Sequence, residues 1–291
     1  PLTAESLEYR RNFTDTNEYN IFAISELGWV SEFALHVRNN GNGTLELGCH
    51  VVDVTSHIEE GSSVDRRARK RSSAVFMPQK LVNLLPQSFN DELSLAPGKE
   101  SATLSVVYTL DSSTLRIKST WVGESTISPS NILSLEQLDE KLSTGSPTSY
   151  LSTVQEIARS FYARRINDPE ATLLPTLSLL ESLDDEKVKV DLNILDRTLG
   201  FVVINEIKRK VNSTVAEKIY TKLGDLALLR RQMQPIATKM ASFRKKIQNF
   251  GYNFDTNTAD ELIKGVLKIK DDDVRVGIEI LLFKTMPRAR Y

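Results

Sequence analysis

A dense run of basic side chains is the first feature of this 291-residue sequence that could do chemistry. Guanidinium and ammonium groups bind phosphate oxygens, so such a run can follow a nucleic-acid backbone. The same run is also typical of a solvated helix face or of a nuclear-import patch. Because the net charge is only −1, binding to nucleic acid would depend on local clusters of charge. The run consists of Arg66, Arg67, Arg69, Lys70 and Arg71.

The sequence also holds three histidines, His36, His50 and His57, and a single cysteine, Cys49. No cluster of Cys, His and carboxylate residues has the spacing of a zinc or acid–base site, so we expect the histidines to be structural. Cys49 lies in an apolar stretch, which favours an inert core thiol, and one cysteine excludes an internal disulfide. Phosphate-cradling glycine loops and nucleophile elbows are also missing. The sequence predicts no cofactor and no bound metal.

Short β-favouring runs dominate the first 130 residues and must position these side chains. Residues 39–43 are rich in Asn and Gly, which accept positive φ, and they predict a hairpin turn. A charged helix around 64–70 carries the basic run. The predicted strands are 21–24, 32–37, 45–52, 102–110 and 115–123.

After Pro129 the apolar residues recur at helical spacing. Ser134 and Gln137 have the spacing of a capping box, which predicts a helix start. The predicted fold class is α+β, with a β-rich portion at 1–130 and a mainly helical portion at 131–291. The main predicted helices are 154–162, 201–223, 237–249, 258–267 and 274–284.

The chain carries no segment that approaches 18 consecutive apolar residues, so we expect no membrane span and no membrane partner. Nothing at its start has the pattern of a secretory signal. The single cysteine indicates a reducing compartment. Since the chain begins at Pro1 without a methionine and stops abruptly at Tyr291, we expect it to be part of a longer protein.

Several motifs follow one another in order along the chain. Residues 48–55 read G-C-H-V-V-D-V-T, 61–78 read G-S-S-V-D-R-R-A-R-K-R-S-S-A-V-F-M-P, and 93–98 read L-S-L-A-P-G. They resemble G-V-H-I-A-D-V-S, G-S-x-L-D…A…R-x-x-S-V-Y-L-P and L-C-S-L-x-P-G of the RNase II/RNase R/Dis3 (RNB) family of 3′→5′ exoribonucleases. Further matches extend to residues 286–291. The resemblance implies an incomplete RNB-type nuclease fold, with cold-shock-type domains upstream and the rest of the domain after Tyr291.

The chain departs from the family at the loop that holds magnesium in active members. There the pattern T-I-D-x5-D-x-D-D-A supplies four carboxylates. In the corresponding segment, 13–23, only Asp15 remains, and the segment is two residues shorter. The other three carboxylate positions fall on Tyr19, Ile21 and Phe22. This segment is therefore a degenerate metal loop.

Magnesium prefers near-octahedral oxygen ligands and would here have to activate the attacking group and stabilise the leaving oxygen. One carboxylate cannot organise two such ions, and Ile21 and Phe22 offer no side-chain oxygen. Loss of a single preorganised electrostatic group typically lowers the rate by about 10²–10³. We therefore predict no catalytic residues, and we expect Asp15 to make a local turn bond.

Phe76 replaces the tyrosine of the family motif S-V-Y-L-P. In the family an aromatic residue near the catalytic centre can stack on terminal bases, a contact worth about 1–3 kcal/mol per base. Phe76 also stands in the apolar run 75–77, which is typical of core packing. Both roles stay open, and we predict Phe76 and the basic run as candidate RNA-binding residues.

A kept nuclease fold with an erased metal loop resembles the fungal, catalytically inactive branch of the family. The resemblance implies an mRNA-binding translational repressor linked to cell-wall integrity and stress. It also implies a location in cytoplasmic P-bodies and stress granules, with shuttling through the nucleus and regulatory protein partners. The alternatives are a magnesium-dependent exoribonuclease whose ligands have shifted, with Asp15 and Glu18 as remnants, and a protein-interaction scaffold. The leading prediction is thus a pseudonuclease that binds single-stranded RNA.

Overall fold

The computed structural model describes residues 9–25, 31–77, 80–144, 149–170, 173, 179–183, 190–194, 198–231, 233–287 and 290–291. Two compact units emerge from its internal contacts. The first comprises 1–158, 181–192 and 198–205, and the second comprises 159–180, 193–197 and 206–291.

Strands dominate the first part of the chain and helices the second, as the sequence predicts. The strands are β1 (Arg11–Phe13), β2 (Phe22–Ser25), β3 (Phe33–Asn39), β4 (Thr44–Val52), β5 (Val75–Met77), β6 (Lys80–Val82), β7 (Ser101–Asp111), β8 (Ile117–Ile127), β9 (Asn131–Ser134), β10 (Leu179–Leu183) and β11 (Val190–Ile194). The helices are α1 (Ser63–Arg71), α2 (Gln87–Leu93), α3 (Leu135–Thr144), α4 (Tyr150–Arg165), α5 (Leu199–Leu223), α6 (Ala237–Asn249), α7 (Ala259–Leu267) and α8 (Asp272–Phe283).

A seven-stranded mixed sheet forms the body of the first unit, in the order β1-β8-β7-β4-β3-β2-β9. Its inner strands β8, β7, β4, β3 and β2 pair antiparallel, while β1 and β9 add at the two edges in parallel. The predicted hairpin joins β3 to β4, and Gly41 and Gly43 adopt φ of 74° and 73° there. The α+β fold class is confirmed.

Alternation along the strands sorts side chains onto the two faces of this sheet. On β7, Ala102, Tyr108 and Leu110 are fully buried on one face, and Thr103 and Ser105 lie on the other. The face with Thr103 and Ser105 carries a polar network, which is described below. Both faces of β7 are thus buried along most of the strand, and Thr103 and Ser105 place polar groups on one of them.

Helix starts in the first unit follow the sequence. The Ser134 hydroxyl accepts from the backbone N–H of Gln137 at 3.2 Å, and the Gln137 side chain accepts from the Ser134 N–H at 3.0 Å. This reciprocal pair is the predicted capping box at the start of α3. Gly200 lies so close to α3 that a Cβ there would meet the Leu135 carbonyl oxygen at 3.0 Å. A side chain at position 200 would therefore push α5 away from α3.

The second unit is held by a separate apolar cluster. Its members come from α6, α7, α8 and the loop between α7 and α8, and the partly buried Tyr252 and Phe254 pack against them. The α4 and α5 segments of this unit are joined by a bidentate ion pair, in which Arg165 donates to Glu206 at 2.8 and 2.9 Å. The buried cluster residues are Met240, Phe243, Ile247, Leu262, Val266, Ile269 and Ile278.

Candidate nucleic-acid interface

The two ends of residues 13–23, the degenerate metal loop, are built into the hydrophobic core of the first unit, and residues 15–18 between them are exposed. Phe13, Ile21 and Phe22 have no exposed surface. Phe13 and Ile21 belong to the cluster that also contains Val107 of β7, and Tyr19 packs against it. Three of the four positions that the sequence analysis aligns with metal ligands, Tyr19, Ile21 and Phe22, therefore supply packing.

Asp15 accepts the hydrogen bonds that hold the turn at the start of this segment. Its carboxylate accepts from the backbone N–H of Asn17 at 2.9 Å, and its carbonyl oxygen accepts from the N–H of Tyr19 at 2.8 Å. The predicted local turn bond is thus present. The neighbouring Glu18 does not turn toward Asp15 but forms an ion pair with Arg38 of β3.

Tyr19 stands where a second carboxylate would be, and its ring covers the end of a polar network. The ring meets Phe13 edge-on at a centroid distance of 5.0 Å and His36 at 5.2 Å. The Arg38 guanidinium lies 4.8 Å from the Tyr19 ring centroid. Burial, then the hydrogen bond with Glu18, raises the pKa of Tyr19, so the phenol stays protonated at neutral pH.

Beneath this aromatic cover a chain of hydrogen bonds crosses four strands. His36 Nε2 lies 3.2 Å from Glu46, and His36 Nδ1 lies 2.9 Å from His50 Nε2. His50 Nδ1 lies 2.6 Å from the Ser105 hydroxyl, which lies 2.5 Å from Ser125. His36 and His50 are both fully buried. These two histidines therefore have the expected structural role, as joined members of one buried hydrogen-bond network.

Burial sets the protonation of this network. Desolvation lowers the pKa of His36 and lowers that of His50 well below the usual histidine value. Burial alone would raise the pKa of Glu46, but its bond to His36 and the charges of Arg38 and Arg11 outweigh this and lower it. A charged Glu46 accepts from His36, so a neutral His36 must in turn accept from His50. Each group therefore donates a hydrogen bond to the next: Ser105 to His50, His50 to His36, and His36 to Glu46.

Two arginines at the outer end of the network were not identified from the sequence. Arg11 stacks 4.7 Å from the Phe13 centroid and 5.0 Å from the Trp121 centroid, and it lies 3.6 Å from Glu46. Arg38 lies 3.5 Å from the same carboxylate. The alternation of residues 45–50 could have predicted that Glu46 faces inward with His50. It could not have predicted which cations neutralise it.

A second buried ion pair lies within the motif at 48–55. Arg10 donates to Asp53 at 2.7 Å and to the Thr103 carbonyl oxygen at 3.3 Å. Burial alone would raise the pKa of Asp53, but bonds from Thr55 and Arg10 outweigh this and lower it. Asp53 also accepts from the Ser56 N–H, which starts a short 3-10 turn. This conspicuous carboxylate is therefore fully used within the fold.

The side chains present do not fit a magnesium site at the family position. Ile21 and Phe22 are apolar and buried, and Asp15 is turned into its own loop. Throughout the part of the chain that the structure describes, no three His, Cys, Asp or Glu side chains form a group able to hold a metal ion. Cys49 is buried, and burial raises the pKa of its thiol, as expected of a core cysteine.

The predicted basic run lies on α1, as the sequence predicts. The helix begins after Ser62, whose hydroxyl accepts from the Asp65 N–H at 3.2 Å. Arg66 donates to the Gly61 carbonyl oxygen, Arg69 lies 3.4 Å from Asp65, and Arg71 donates to the Asn83 carbonyl oxygen. Among the described residues Arg67 and Lys70 have no such partner, and both are exposed. These two are the cations of the run that remain available to a phosphate.

Phe76 lies in the two-stranded sheet of β5 and β6, opposite Leu81. Its side chain falls outside the part of the chain that the structure describes, so both of its predicted roles remain predictions. No helix in the described part of the chain is long and apolar enough to cross a membrane.

Comparisons with known proteins agree with this fold. The family model described as RNB domain matches residues 10–291. The chain is 39% identical to the virulence protein SSD1 of Candida albicans over 282 residues, 94% of this chain and 22% of that protein. It is 29% identical to protein sts5 of Schizosaccharomyces pombe over 280 residues, 94% of this chain and 25% of that protein. The chain thus spans about a quarter of the length of these relatives.

A solved structure carries the same fold. It is that of Mycoplasma genitalium RNase R in complex with ribose methylated single-stranded RNA. The TM-score is 0.80 at 20% identity, over 99% of this chain and 46% of that one. The match covers both the mixed sheet and the helical part. With the family model matched along almost its whole length, the chain belongs to the RNB domain family.

Proposed function

We propose that this chain is a non-catalytic, RNA-binding RNB domain within a larger mRNA-binding translational repressor. The observation that carries the proposal is the burial of two apolar residues at the end of the degenerate metal loop. Ile21 and Phe22 have no exposed surface, and Asp15 bonds within its own turn. Phosphodiester cleavage of this family's kind needs metal ions held by several carboxylates. A hydrophobic core at that position supplies none.

Binding of RNA is supported by family membership and by local charge. The RNase R to which the chain is similar in fold is bound to single-stranded RNA in its structure. In this chain Arg67 and Lys70 on α1 are exposed cations. Contacts of this kind bind phosphates independently of base sequence. Sequence preference would then come from other surfaces or from other parts of the whole protein.

The role of the whole protein is proposed on its similarity to the fungal relatives. We place it in cytoplasmic mRNA–protein granules, where it represses translation of mRNAs for cell-wall integrity and stress, shuttles through the nucleus and has regulatory protein partners. Fluorescent tagging in a fungal cell, with recovery of the bound RNA after crosslinking, tests this proposal. Exclusive association with non-RNA partners would favour the scaffold alternative.

The exoribonuclease alternative requires new metal ligands near Asp15. The carboxylate nearest to Asp15 in the sequence, that of Glu18, is paired with Arg38. Glu46, the next carboxylate in this network, is paired with two arginines and His36. Taking Glu46 for a metal would leave Arg11 without its ion-pair partner, and taking Glu18 would leave Arg38 with Glu46 alone, at 3.5 Å. These pairings favour the non-catalytic proposal.

The test uses the full-length protein, a 5′-labelled single-stranded RNA and magnesium at low salt. Binding and shortening from the 3′ end are followed in the same tubes, with Asp15→Asn as the matched variant. We expect both proteins to bind RNA without shortening it. Magnesium-dependent shortening that is lost in Asp15→Asn would establish the exoribonuclease alternative. Failure of both proteins to bind would leave the scaffold alternative.

A further inference from the structure

A concave pocket opens between α6 and α8 of the second unit, with a volume of about 400 Å³. Phe243, which is buried, and Leu281 supply apolar walls. Lys239, Lys246 and Lys284 supply three ammonium groups. The pocket therefore combines apolar walls with positive charge, and it has the size of a small-molecule or nucleotide site.

Helical spacing explains how these three lysines come to line the same pocket. Lys239 and Lys246 are seven residues apart on α6, so they lie on one face of that helix. Lys284 follows the last residue of α8, three positions after Leu281. The packing of α6 against α8 through the apolar cluster then brings the two helices' lysines to one pocket.

Charge balance within the helices does not account for all three lysines. Lysines near helix C-termini, such as Lys246 and Lys284, offset the partial negative charge of that end. Lys239 lies in the first turn of α6, where the partial charge is positive and where no acidic residue is present. A cation there costs energy unless an anion compensates it. Among the described residues none of these ammonium groups has an ion-pair partner, in contrast to Arg165 with Glu206.

An exposed aromatic ring stands beside the lysines of α6. Phe250 follows Lys246 by four residues, about one helical turn, and is 67% exposed. It comes directly after the last residue of α6. An exposed ring beside cations is typical of surfaces where bases stack and phosphates pair, since every base offers a π-face. An acidic peptide would use the lysines but not the ring.

We propose that the α6–α8 pocket binds single-stranded RNA through its phosphate backbone. The lysines hold consecutive phosphates, and Phe250 offers a stacking surface to a neighbouring base. This inference rests on the proposed function, because it names a surface on which that function is carried out. It is separate from the basic run of α1.

The electrostatic test is a salt titration of RNA binding by the full-length protein. The probe is a fluorescein-labelled oligouridine followed by anisotropy from 50 to 200 mM salt. The triple variant Lys239→Gln, Lys246→Gln and Lys284→Gln is compared with a control triple, Lys222→Gln, Lys268→Gln and Lys270→Gln. All six lysines are exposed, and both triples change the net charge equally.

We expect the pocket triple to weaken binding about tenfold at 100 mM salt. The slope of log K against log salt should fall by about two, since each lost phosphate contact contributes roughly 0.7 for a single strand. The control triple should change affinity less than twofold. Equal loss in both triples, or no loss in the pocket triple, overturns the inference while the proposed function stands. Wild-type protein that does not bind RNA overturns the proposed function itself.

The stacking test uses Phe250→Leu, which keeps apolar bulk and removes the aromatic face. We expect at least about fivefold weaker binding with an unchanged salt slope, the loss of one stacking contact. Polyglutamate is used as a competing probe, because it is a polyanion without bases and distinguishes binding of acidic protein segments from binding of RNA. If the pocket triple loses polyglutamate binding and keeps RNA binding, the pocket recognises acidic protein segments and the RNA assignment is wrong. Circular dichroism melts of each variant verify that it folds.

Discussion

The sheet face under residues 13–23 and the α6–α8 pocket handle charge in opposite ways. On the sheet face each charged group has an internal partner, as Glu46 does with His36, Arg11 and Arg38. Aromatic rings then cover the outer end of that network. In the pocket, three ammonium groups surround an apolar surface without ion-pair partners among the described residues. Charged groups that pair with one another stabilise the fold, whereas cations without an internal partner are available to bind an anionic ligand.

The largest expected effect comes from placing carboxylates in the core, at the positions that the sequence analysis aligns with the family's metal ligands. We expect Ile21→Asp or Phe22→Asp to lower the free energy of unfolding by at least about 4 kcal/mol, because each buries an unpaired charge and removes core packing. Urea denaturation followed by circular dichroism measures this. Asn20→Asp, at an exposed position in the same segment, is the control and should change stability by less than about 0.5 kcal/mol.

A stable Ile21→Asp, Phe22→Asp double variant that shortens RNA with magnesium would contradict our interpretation. It would mean that the segment is an emptied metal site and not a packed one.

Gly48→Ala tests the tight packing of the network itself. A Cβ at position 48 would lie 2.1 Å from Cε1 of His36, whose ring is confined by Phe13 and Tyr19. We expect a loss of about 3 kcal/mol, from overpacking and from broken hydrogen bonds. Gly277→Ala on α8 is the matched control, since nothing lies within 4 Å of its added Cβ. It should stabilise the protein by roughly 0.5–1 kcal/mol, because alanine favours helix.

The pH dependence of stability should report the buried histidines. Their pKa values are lowered on folding, so below the usual value of about 6.5 the unfolded state binds protons that the folded state does not. Stability is therefore fully present above that pH and decreases as the pH falls toward the lowered values, by at most about 1.4 kcal/mol per pH unit for each histidine that stays neutral in the folded state. Urea midpoints measured from pH 7.5 to 5 provide the slope. The lowered pKa of Glu46 adds a loss only at more acidic pH, below its usual range.

Substitution separates the contributions to that slope. His50→Gln should reduce the slope, because the pKa of His50 is lowered further than that of His36. A flat stability profile between pH 6.5 and 5 in the wild-type protein would show that the two histidines take up protons without unfolding.

The smallest expected effect is at Asp15. Asp15→Asn keeps a side-chain oxygen for the Asn17 N–H, so stability should change by less than about 0.5 kcal/mol. Asp15→Ala removes the acceptor and should cost about 1 kcal/mol. RNA affinity should be the same for both variants, with magnesium or with a chelator. A large loss of affinity on chelation, confined to proteins with Asp15, would mean that this carboxylate holds a metal in the complex.

Much of the fold follows from patterns between near neighbours. The hairpin at 39–43, the capping box at Ser134 and Gln137 and the helix at 237–249 were all predicted correctly, because turn chemistry and helical periodicity act over a few residues. The short strands β1, β5, β6 and β9 were not predicted. Three or four residues carry too little periodicity, and such strands exist only because a neighbouring strand pairs with them.

The sequence by itself also determined that positions 21 and 22 offer a metal no side-chain oxygen, since no folding can give an apolar side chain an oxygen ligand. Only the tertiary structure decided that these residues pack in a core, that His36 meets His50 across β3 and β4, and that Lys284 joins Lys239 and Lys246. Such meetings depend on strand register and helix packing. These bring together residues far apart in the chain, so no local pattern records them.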